Sequence, residues 1–193
     1  MPLNVPNLLT WLRILLIPLF LAVYSLPDTW LNTPQKNLVA TALFAVAAIT
    51  DWLDGYLART LNQTSAFGAF LDPVADKLMV AAALILLVWL QRVDAIIAVI
   101  IIGREIAISA LREWMAKIGR SRNVAVSFLG KLKTGAQMAA ILLLLFHGIL
   151  LGLDTQTIGT VLIYVAALLT LWSMGYYLRR ALPWLLGKEE PLP

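Results

Sequence analysis

The sequence contains no cysteine, and only 13% of its 193 residues are charged. Without cysteine the chain can form neither a disulfide framework nor a thiolate metal site. Hydrophobic residues make up 61% of the chain, whereas a soluble globular domain has about half apolar and about a quarter charged residues. The composition therefore excludes an ordinary soluble domain and predicts a membrane protein with several spans.

Apolar runs long enough for membrane helices follow one another along nearly the whole chain. A hydrocarbon core requires about 20 apolar residues in a helix. Six runs meet this length, with the approximate bounds Leu8–Leu26, Leu38–Leu57, Val74–Leu90, Ala95–Trp114, Val126–Leu151 and Ile158–Tyr177. The first run lacks a basic leader and a small-residue cleavage pattern, so it is predicted to be a retained span. We therefore predict an all-α integral membrane fold, with six transmembrane helices in one bundle and a single domain over residues 1–193.

The basic residues are divided unevenly between the two sides that six spans would define. One side collects twelve of them: Arg13, Arg59, Lys77, Arg112, Lys117, Arg120, Arg122, Lys131, Lys133, Arg179, Arg180 and Lys188. The other side has Lys36 and Arg92, and Arg104 lies within a span. Because basic residues accumulate in cytoplasmic connections, both termini are predicted to be cytoplasmic. The cations lie in spans and tight connections rather than in an exposed tail, so nucleic acid is a poor partner.

Four of the 11 acidic residues fall within 26 residues, at the cytoplasmic ends of the second and third spans. Asp51 and Asp54 are three apart and Asp72 and Asp76 are four apart, so each pair shares a helical face. If the two helices are adjacent and antiparallel, all four carboxylates can meet. Like charges beside apolar runs require a compensating cation. Oxygen ligands without nearby His or Cys favour Mg²⁺, Mn²⁺ or Ca²⁺ over Zn²⁺, and two such ions suit phosphoryl displacement.

Other residues indicate an anionic ligand beside the carboxylates. Gly55 and Ala58 remove side-chain bulk near the first pair, and Arg59 supplies a guanidinium for phosphate oxygens. The cytoplasmic ends of the fourth and fifth spans carry four further cations, Arg104, Arg112, Lys131 and Lys133. A buried cation must pair with an anion or bind one, which predicts a phosphate-bearing acceptor at these residues.

The spacing of the acidic segment resembles the signature of the CDP-alcohol phosphotransferases, D-x2-D-G-x2-A-R-x8-G-x3-D-x3-D. Every signature position is present: Asp51, Asp54, Gly55, Ala58, Arg59, Gly68, Asp72 and Asp76. The resemblance implies a six-helix membrane enzyme, usually a homodimer, that transfers a substituted phosphoryl group from a CDP-linked donor to an alcohol and releases CMP. It implies two Mg²⁺ ions, one held by the first three aspartates and one by the first, third and fourth. Asp76 would also be the general base, and the glycine, alanine and arginine would help to hold CDP.

Segments outside the signature resemble the bacterial members of this family that use CDP-diacylglycerol and glycerol 3-phosphate. These segments are Asn7–Arg13, Gly103–Trp114, Gly130–Thr134 and Leu171–Ser173, and the resemblance covers about residues 1–180. It implies phosphatidyl transfer at the cytoplasmic face of the bacterial inner membrane. Asn7 and Thr10 join the expected donor-binding residues, and the four cations become the expected phosphate-binding residues of the acceptor site.

Several alternatives stay open at this point. Asn4 or Asn7 could cap the first helix beside Pro6, and Asp72, which precedes Pro73, could cap the third. Arg104 and Glu105 could form a structural ion pair. The acceptor could be inositol phosphate, serine or phosphatidylglycerol. A divalent-cation transporter would need polar groups across the whole bilayer, but the outer halves of the second and third spans contain no ionisable residue, which favours a one-sided site.

Overall fold

The structure is a computed structural model that describes residues 5–60, 66–119 and 128–185. Within these ranges the chain forms six α-helices, α1 (Val5–Ala22), α2 (Thr33–Thr60), α3 (Ala66–Trp89), α4 (Ala95–Lys117), α5 (Phe128–Phe146) and α6 (Thr155–Leu185). A 3₁₀ turn, Val23–Ser25, follows α1, and a two-residue antiparallel pair, β1 (Ile149–Leu150) and β2 (Leu153–Asp154), connects α5 to α6. Apart from this short hairpin and the connecting turns, the described chain is helical, which confirms the all-α part of the predicted fold class.

Two capping predictions are wrong. Asp72 does not cap α3, because this helix begins at Ala66 and contains both Asp72 and Pro73 in its interior. Asn7 does not cap α1 either, since it lies inside that helix, and Asn4 lies outside the described residues. In both helices the apolar run marked only part of the helix, which begins several residues earlier in the chain.

The fifth and sixth helices also differ from their predicted bounds. The predicted run Val126–Leu151 ends instead with α5 at Phe146, and its last residues form β1 and the turn. Leu151 and Gly152 have positive φ angles of 52° and 80°, as the two central residues of a tight hairpin turn require. The turn then starts α6 at Thr155, three residues before the predicted start.

Side-chain caps fix where three helices begin. Asn32 and Gln35 form a reciprocal capping box before α2, each side-chain oxygen accepting from the other's backbone N–H at 3.0 and 2.9 Å. Asp94 Oδ1 accepts from Ile96 N at 2.7 Å at the start of α4. At α6, hydrogen bonds from the side chain and backbone of Thr157 hold the pKa of Asp154 below its ordinary value. These caps satisfy backbone donors that a helix leaves free in its first turn.

One hydrophobic core runs through the bundle and takes residues from all six helices. Phe20 of α1 and Phe44 of α2 are fully buried, with ring centroids 6.3 Å apart. Leu84 of α3, Ile101 of α4 and Leu144 of α5 are buried in the same cluster. A second, smaller cluster joins α4 to α6 through Ile108, Met115, Tyr177 and Ala181, close to the polar residues described below.

The outer surface of the bundle is apolar over much of its area. Ile85, Val99 and Leu168 are among the large hydrophobic side chains that project outwards, a pattern typical of a surface that faces lipid. Two helices, Leu8–Ser25 and Thr155–Trp184, are long and apolar enough to cross a membrane by length and composition. Ionisable residues interrupt the apolar runs of α3 and α4.

Polar contacts at the end opposite the aspartates join the 3₁₀ turn to α2, and join the connection between α3 and α4 to α2 and α5. Tyr24 donates to Asn37 Oδ1 at 2.8 Å. Arg92 donates to the same oxygen at 2.8 Å and to the carbonyl oxygens of Leu144 and Leu145 at 3.0 Å each. Burial lowers the pKa of Arg92, and the carbonyl oxygens at the end of α5 supply the acceptors that offset its desolvation.

Candidate active site

Helix α1 presents two buried polar side chains to the aspartates. Thr10 and Arg13 are three residues apart, so they share one face of α1, and both are almost fully buried. Arg13 donates from Nη1 to Asp51 Oδ1 and from Nη2 to Asp54 Oδ2. Thr10 Oγ1 donates to Asp72 Oδ1. One face of α1 therefore contacts both the acidic end of α2 and the acidic end of α3.

The two aspartates of α2 differ in their exposure. The Asp54 side chain is 3% exposed, whereas that of Asp51 is 43% exposed. Asp54 and Arg13 form a desolvated ion pair, in which loss of either partner leaves a buried charge. Asp51 is the member of the pair that an incoming ligand can reach.

On α3, Asp72 and Asp76 are both partly buried. Asp76 interacts electrostatically with Asp51 of α2, Arg13 of α1 and Glu105 of α4. The predicted sharing of a face by Asp72 and Asp76 is consistent with their position on one uninterrupted helix.

The structure does not bring the four aspartates into one ligand set. Among residues 5–60, 66–119 and 128–185, no group of three or more His, Asp or Glu side chains is arranged to hold a metal ion. Four carboxylates repel one another, and α1 supplies donors to three of them, with Arg13 bound to Asp51 and Asp54 and Thr10 bound to Asp72. The α2 pair nevertheless fits a cation, since it already holds the guanidinium of Arg13.

Two of the predicted acceptor cations, Arg104 of α4 and Lys133 of α5, meet at Glu105 of α4. The Glu105 carboxylate accepts from Lys133 Nζ of α5 and, at 3.3 Å, from Arg104 Nη1. Lys133 is only 2% exposed, which makes a charged partner necessary for it. The ion pair between Arg104 and Glu105 that the sequence left open is therefore present, and Lys133 shares it.

Helix α6 supplies the remaining partners of the two arginines. Arg104 Nη2 donates to Ser173 Oγ at 3.0 Å, and Arg112 Nη2 donates to the hydroxyl of Tyr177 at 3.1 Å. Within the described ranges, Nε of Arg104 and Nε of Arg112 are buried without a hydrogen-bond partner. Buried donors of this kind require an acceptor, and a bound phosphate would provide one.

Several predicted site residues have side chains outside the described part of the structure. These are Asn7, Gly55, Ala58, Arg59 and Lys131, and the expected roles of all five stay predictions. Gly68 is described and buried near the start of α3. Its expected role at the donor is likewise untested.

Sequence reasoning missed Tyr177 and underestimated Arg13. In the sequence Arg13 is only one of twelve cytoplasmic basic residues, and its pairing with two aspartates 38 and 41 residues away follows from the packing of α1 on α2. Tyr177 is fully buried yet polar, and an aromatic in an apolar run gives no signal of its partners. Its position four residues after Ser173, on the same face of α6, was the available clue.

Comparisons with known proteins agree with the signature. A family model of the CDP-alcohol phosphatidyltransferases matches residues 3–172. The chain is 48% identical over 186 residues to the CDP-diacylglycerol–glycerol-3-phosphate 3-phosphatidyltransferases of Shigella flexneri serotype 5b and of Escherichia coli K12, covering 94% of this chain and 96% of each relative. The predicted family is confirmed, and the chain belongs to the CDP-alcohol phosphatidyltransferase family.

Proposed function

We propose that this protein transfers the phosphatidyl group of CDP-diacylglycerol to glycerol 3-phosphate, giving phosphatidylglycerophosphate and CMP. The observation that carries the proposal is the adjacency of two sites of opposite charge. An acidic site on α2 and α3 lies within electrostatic range of Glu105, and Glu105 binds the buried cations Arg104 and Lys133. The names of the relatives point to the same pair of substrates.

The acidic site is assigned to the donor. Asp51, Asp54, Asp72 and Asp76 are the residues that would hold Mg²⁺, and the α2 pair already binds a cationic group. Neutralisation of the pyrophosphate oxygens is the chemistry that bound Mg²⁺ supplies. Thr10 and Arg13 offer a hydroxyl and a guanidinium beside these carboxylates, and we assign Asn7, Gly55, Ala58, Arg59 and Gly68 to the CDP moiety.

Asp76 is assigned as the general base. It accepts the proton of the primary hydroxyl of glycerol 3-phosphate, and the hydroxyl oxygen bonds to the phosphorus that carries diacylglycerol. The bond between this phosphorus and the bridging oxygen of the pyrophosphate breaks, and CMP leaves with its electron pair. The electrostatic interactions of Asp76 with Asp51 of the acidic site and with Glu105 of the cationic site support this role.

The cationic site is assigned to the phosphate of the acceptor. Arg104 and Arg112 have unpartnered Nε donors in the described ranges, and the Lys133 ammonium forms an ion pair with Glu105. A phosphate dianion would compete with Glu105 for these cations. A neutral acceptor such as serine would leave them with their charge uncompensated, which favours glycerol 3-phosphate.

The same proposal places the protein in the bacterial inner membrane as a six-span bundle with one domain over residues 1–193. Both termini and the site lie on the cytoplasmic side, in agreement with the distribution of basic residues. The resemblance implies that the assembly is a homodimer. Acyl chains of the donor would lie along the apolar outer surface of the bundle.

The test is CMP release by the purified protein with CDP-diacylglycerol and Mg²⁺, with each acceptor offered in turn. We expect release with glycerol 3-phosphate and little with glycerol, serine, inositol phosphate or phosphatidylglycerol. Release with a different acceptor would refute the acceptor assignment. If no acceptor supports CMP release, the proposed reaction class is wrong, and the alternative of a divalent-cation transporter is favoured.

A further inference from the structure

We propose that Tyr177, together with Ser173, positions the two arginines of the acceptor site and thereby sets the affinity for the acceptor's phosphate. The inference rests on the proposed function, because it takes Arg104 and Arg112 as phosphate-binding cations. Both α6 residues act through the arginines and are therefore positioning residues.

The contacts of Tyr177 involve both arginines at once. Its hydroxyl accepts from Arg112 Nη2 at 3.1 Å. Its ring centroid lies 5.1 Å from Arg112 Cζ and 5.8 Å from Arg104 Cζ, within the range of about 6 Å over which a guanidinium is attracted to an aromatic face. The ring is fully buried among Ile108, Met115 and Ala181, so close packing holds it in one place.

Ser173 fixes the first arginine by a related arrangement one helical turn earlier. Its hydroxyl donates to the carbonyl oxygen of Thr170 at 2.9 Å. The hydroxyl hydrogen is thus directed at the helix backbone, and the oxygen accepts from Arg104 Nη2 at 3.0 Å. The backbone of α6 therefore determines where the Arg104 guanidinium lies.

The arginines need such a template because of their spacing and charge. Arg104 and Arg112 are eight residues apart, which is about 12 Å along a helix, and each is long and flexible in solution. The aromatic ring and the two hydroxyls hold both guanidiniums through Nη2, while each Nε remains buried and unpartnered in the described ranges. Arginines held in this way lose less conformational freedom when they bind an anion.

The direct test is Tyr177→Phe, which removes the hydroxyl and keeps the ring and its packing. We expect the KM for glycerol 3-phosphate to rise about tenfold, as loss of a hydrogen bond to a charged group would allow. The kcat and the KM for CDP-diacylglycerol should stay within about twofold of the wild type. The matched control is Tyr176→Phe, the same change at the adjacent position, where the side chain is partly exposed and lies against Arg180; it should leave all three constants unchanged.

A second pair of variants separates this inference from the proposed function. Arg112→Gln should raise the KM for glycerol 3-phosphate, and Tyr177→Phe should add little to it in the double variant, because both changes act on one guanidinium. If Arg112→Gln raises the KM but Tyr177→Phe does not, the positioning role is wrong and the acceptor site stands. If Arg112→Gln has no effect on the KM, the acceptor site itself is wrong. A Tyr177→Phe protein that loses kcat and thermal stability together would show a merely structural role.

Discussion

At the scale of single residues, the ion pairs of Arg13 join α1 to the acidic site on α2. Its guanidinium is almost fully buried and contacts Asp51 and Asp54, the two aspartates that the signature assigns to metal binding. Its single positive charge therefore offsets part of the negative charge of these two carboxylates. The spacing of the aspartates could be read from the sequence, but this partner could not, because periodicity along one helix does not say which helix packs against it.

Arg13→Gln should make the thermal stability of the protein depend more strongly on Mg²⁺. Removal of the guanidinium leaves two like charges without their partner, and a ligand that binds the folded state raises its stability as its dissociation constant falls. We expect a larger rise of Tm on adding Mg²⁺ after chelator treatment than in the wild type, by roughly 2–4 °C for each additional kcal/mol of binding. Thermal unfolding in detergent measures this.

Lys117→Gln is the control for the lost positive charge, since Lys117 forms an exposed i,i+4 pair with Glu113 that contributes little to stability. An equal Mg²⁺ response in all three proteins would show that Arg13 and the divalent cation do not share the carboxylates.

At the scale of helices, the close approach of α5 and α6 supports the acceptor site. Gly159 of α6 lies against Leu144 of α5, so a Cβ at this glycine would stand 2.8 Å from Leu144 Cγ and 3.2 Å from its backbone nitrogen. The carbonyl of Leu144 also accepts from Arg92. Small residues allow membrane helices to approach in this way, and the same two helices carry Lys133 on one side and Ser173 and Tyr177 on the other.

Gly159→Ala should therefore destabilise the protein by about 1–3 kcal/mol, the usual cost of overpacking a well-packed contact. Gly175→Ala on the same helix is the control, because nothing among the described residues lies within 4 Å of its added Cβ. That change should be neutral or raise stability by up to about 1 kcal/mol through helix propensity. Equal Tm values for the two variants would contradict the packing of α5 on α6.

Sequence patterns predicted the helices better than their contacts. Composition and apolar runs gave the helical class and placed the start of α4 at Ala95, and the spacing of Asp51 to Asp76 gave the family. They misplaced the start of α3 because Asp72 and Pro73 interrupt the apolar run, whereas the helix begins at Ala66 and continues through both residues. The partners of Arg104 and Arg112 depend on the packing of α4 against α6, and residues 65 to 69 positions apart leave no local pattern.

At the scale of the whole molecule, the account requires the two ends of the bundle to lie on opposite sides of the membrane. The natural absence of cysteine makes this testable with single introduced thiols. Trp30→Cys, in the exposed connection between α1 and α2, should react with a membrane-impermeant maleimide in intact spheroplasts. Lys117→Cys, at the exposed end of α4, should react only after the membrane is permeabilised. The reverse pattern would invert the topology, and labelling of both from outside would refute the six-span arrangement.

The central claim is that the acidic site performs the chemistry while the cationic site binds the acceptor. Steady-state CMP release by Asp76→Asn and Lys133→Gln tests it most directly, with glycerol 3-phosphate varied at saturating CDP-diacylglycerol. The account predicts that Asp76→Asn lowers kcat by about 10²–10⁴-fold, as loss of a general base does, with little change in the acceptor KM. Lys133→Gln should instead raise the acceptor KM by about tenfold or more with a smaller effect on kcat. Near-normal turnover by Asp76→Asn, or an unchanged acceptor KM for Lys133→Gln, would contradict the account.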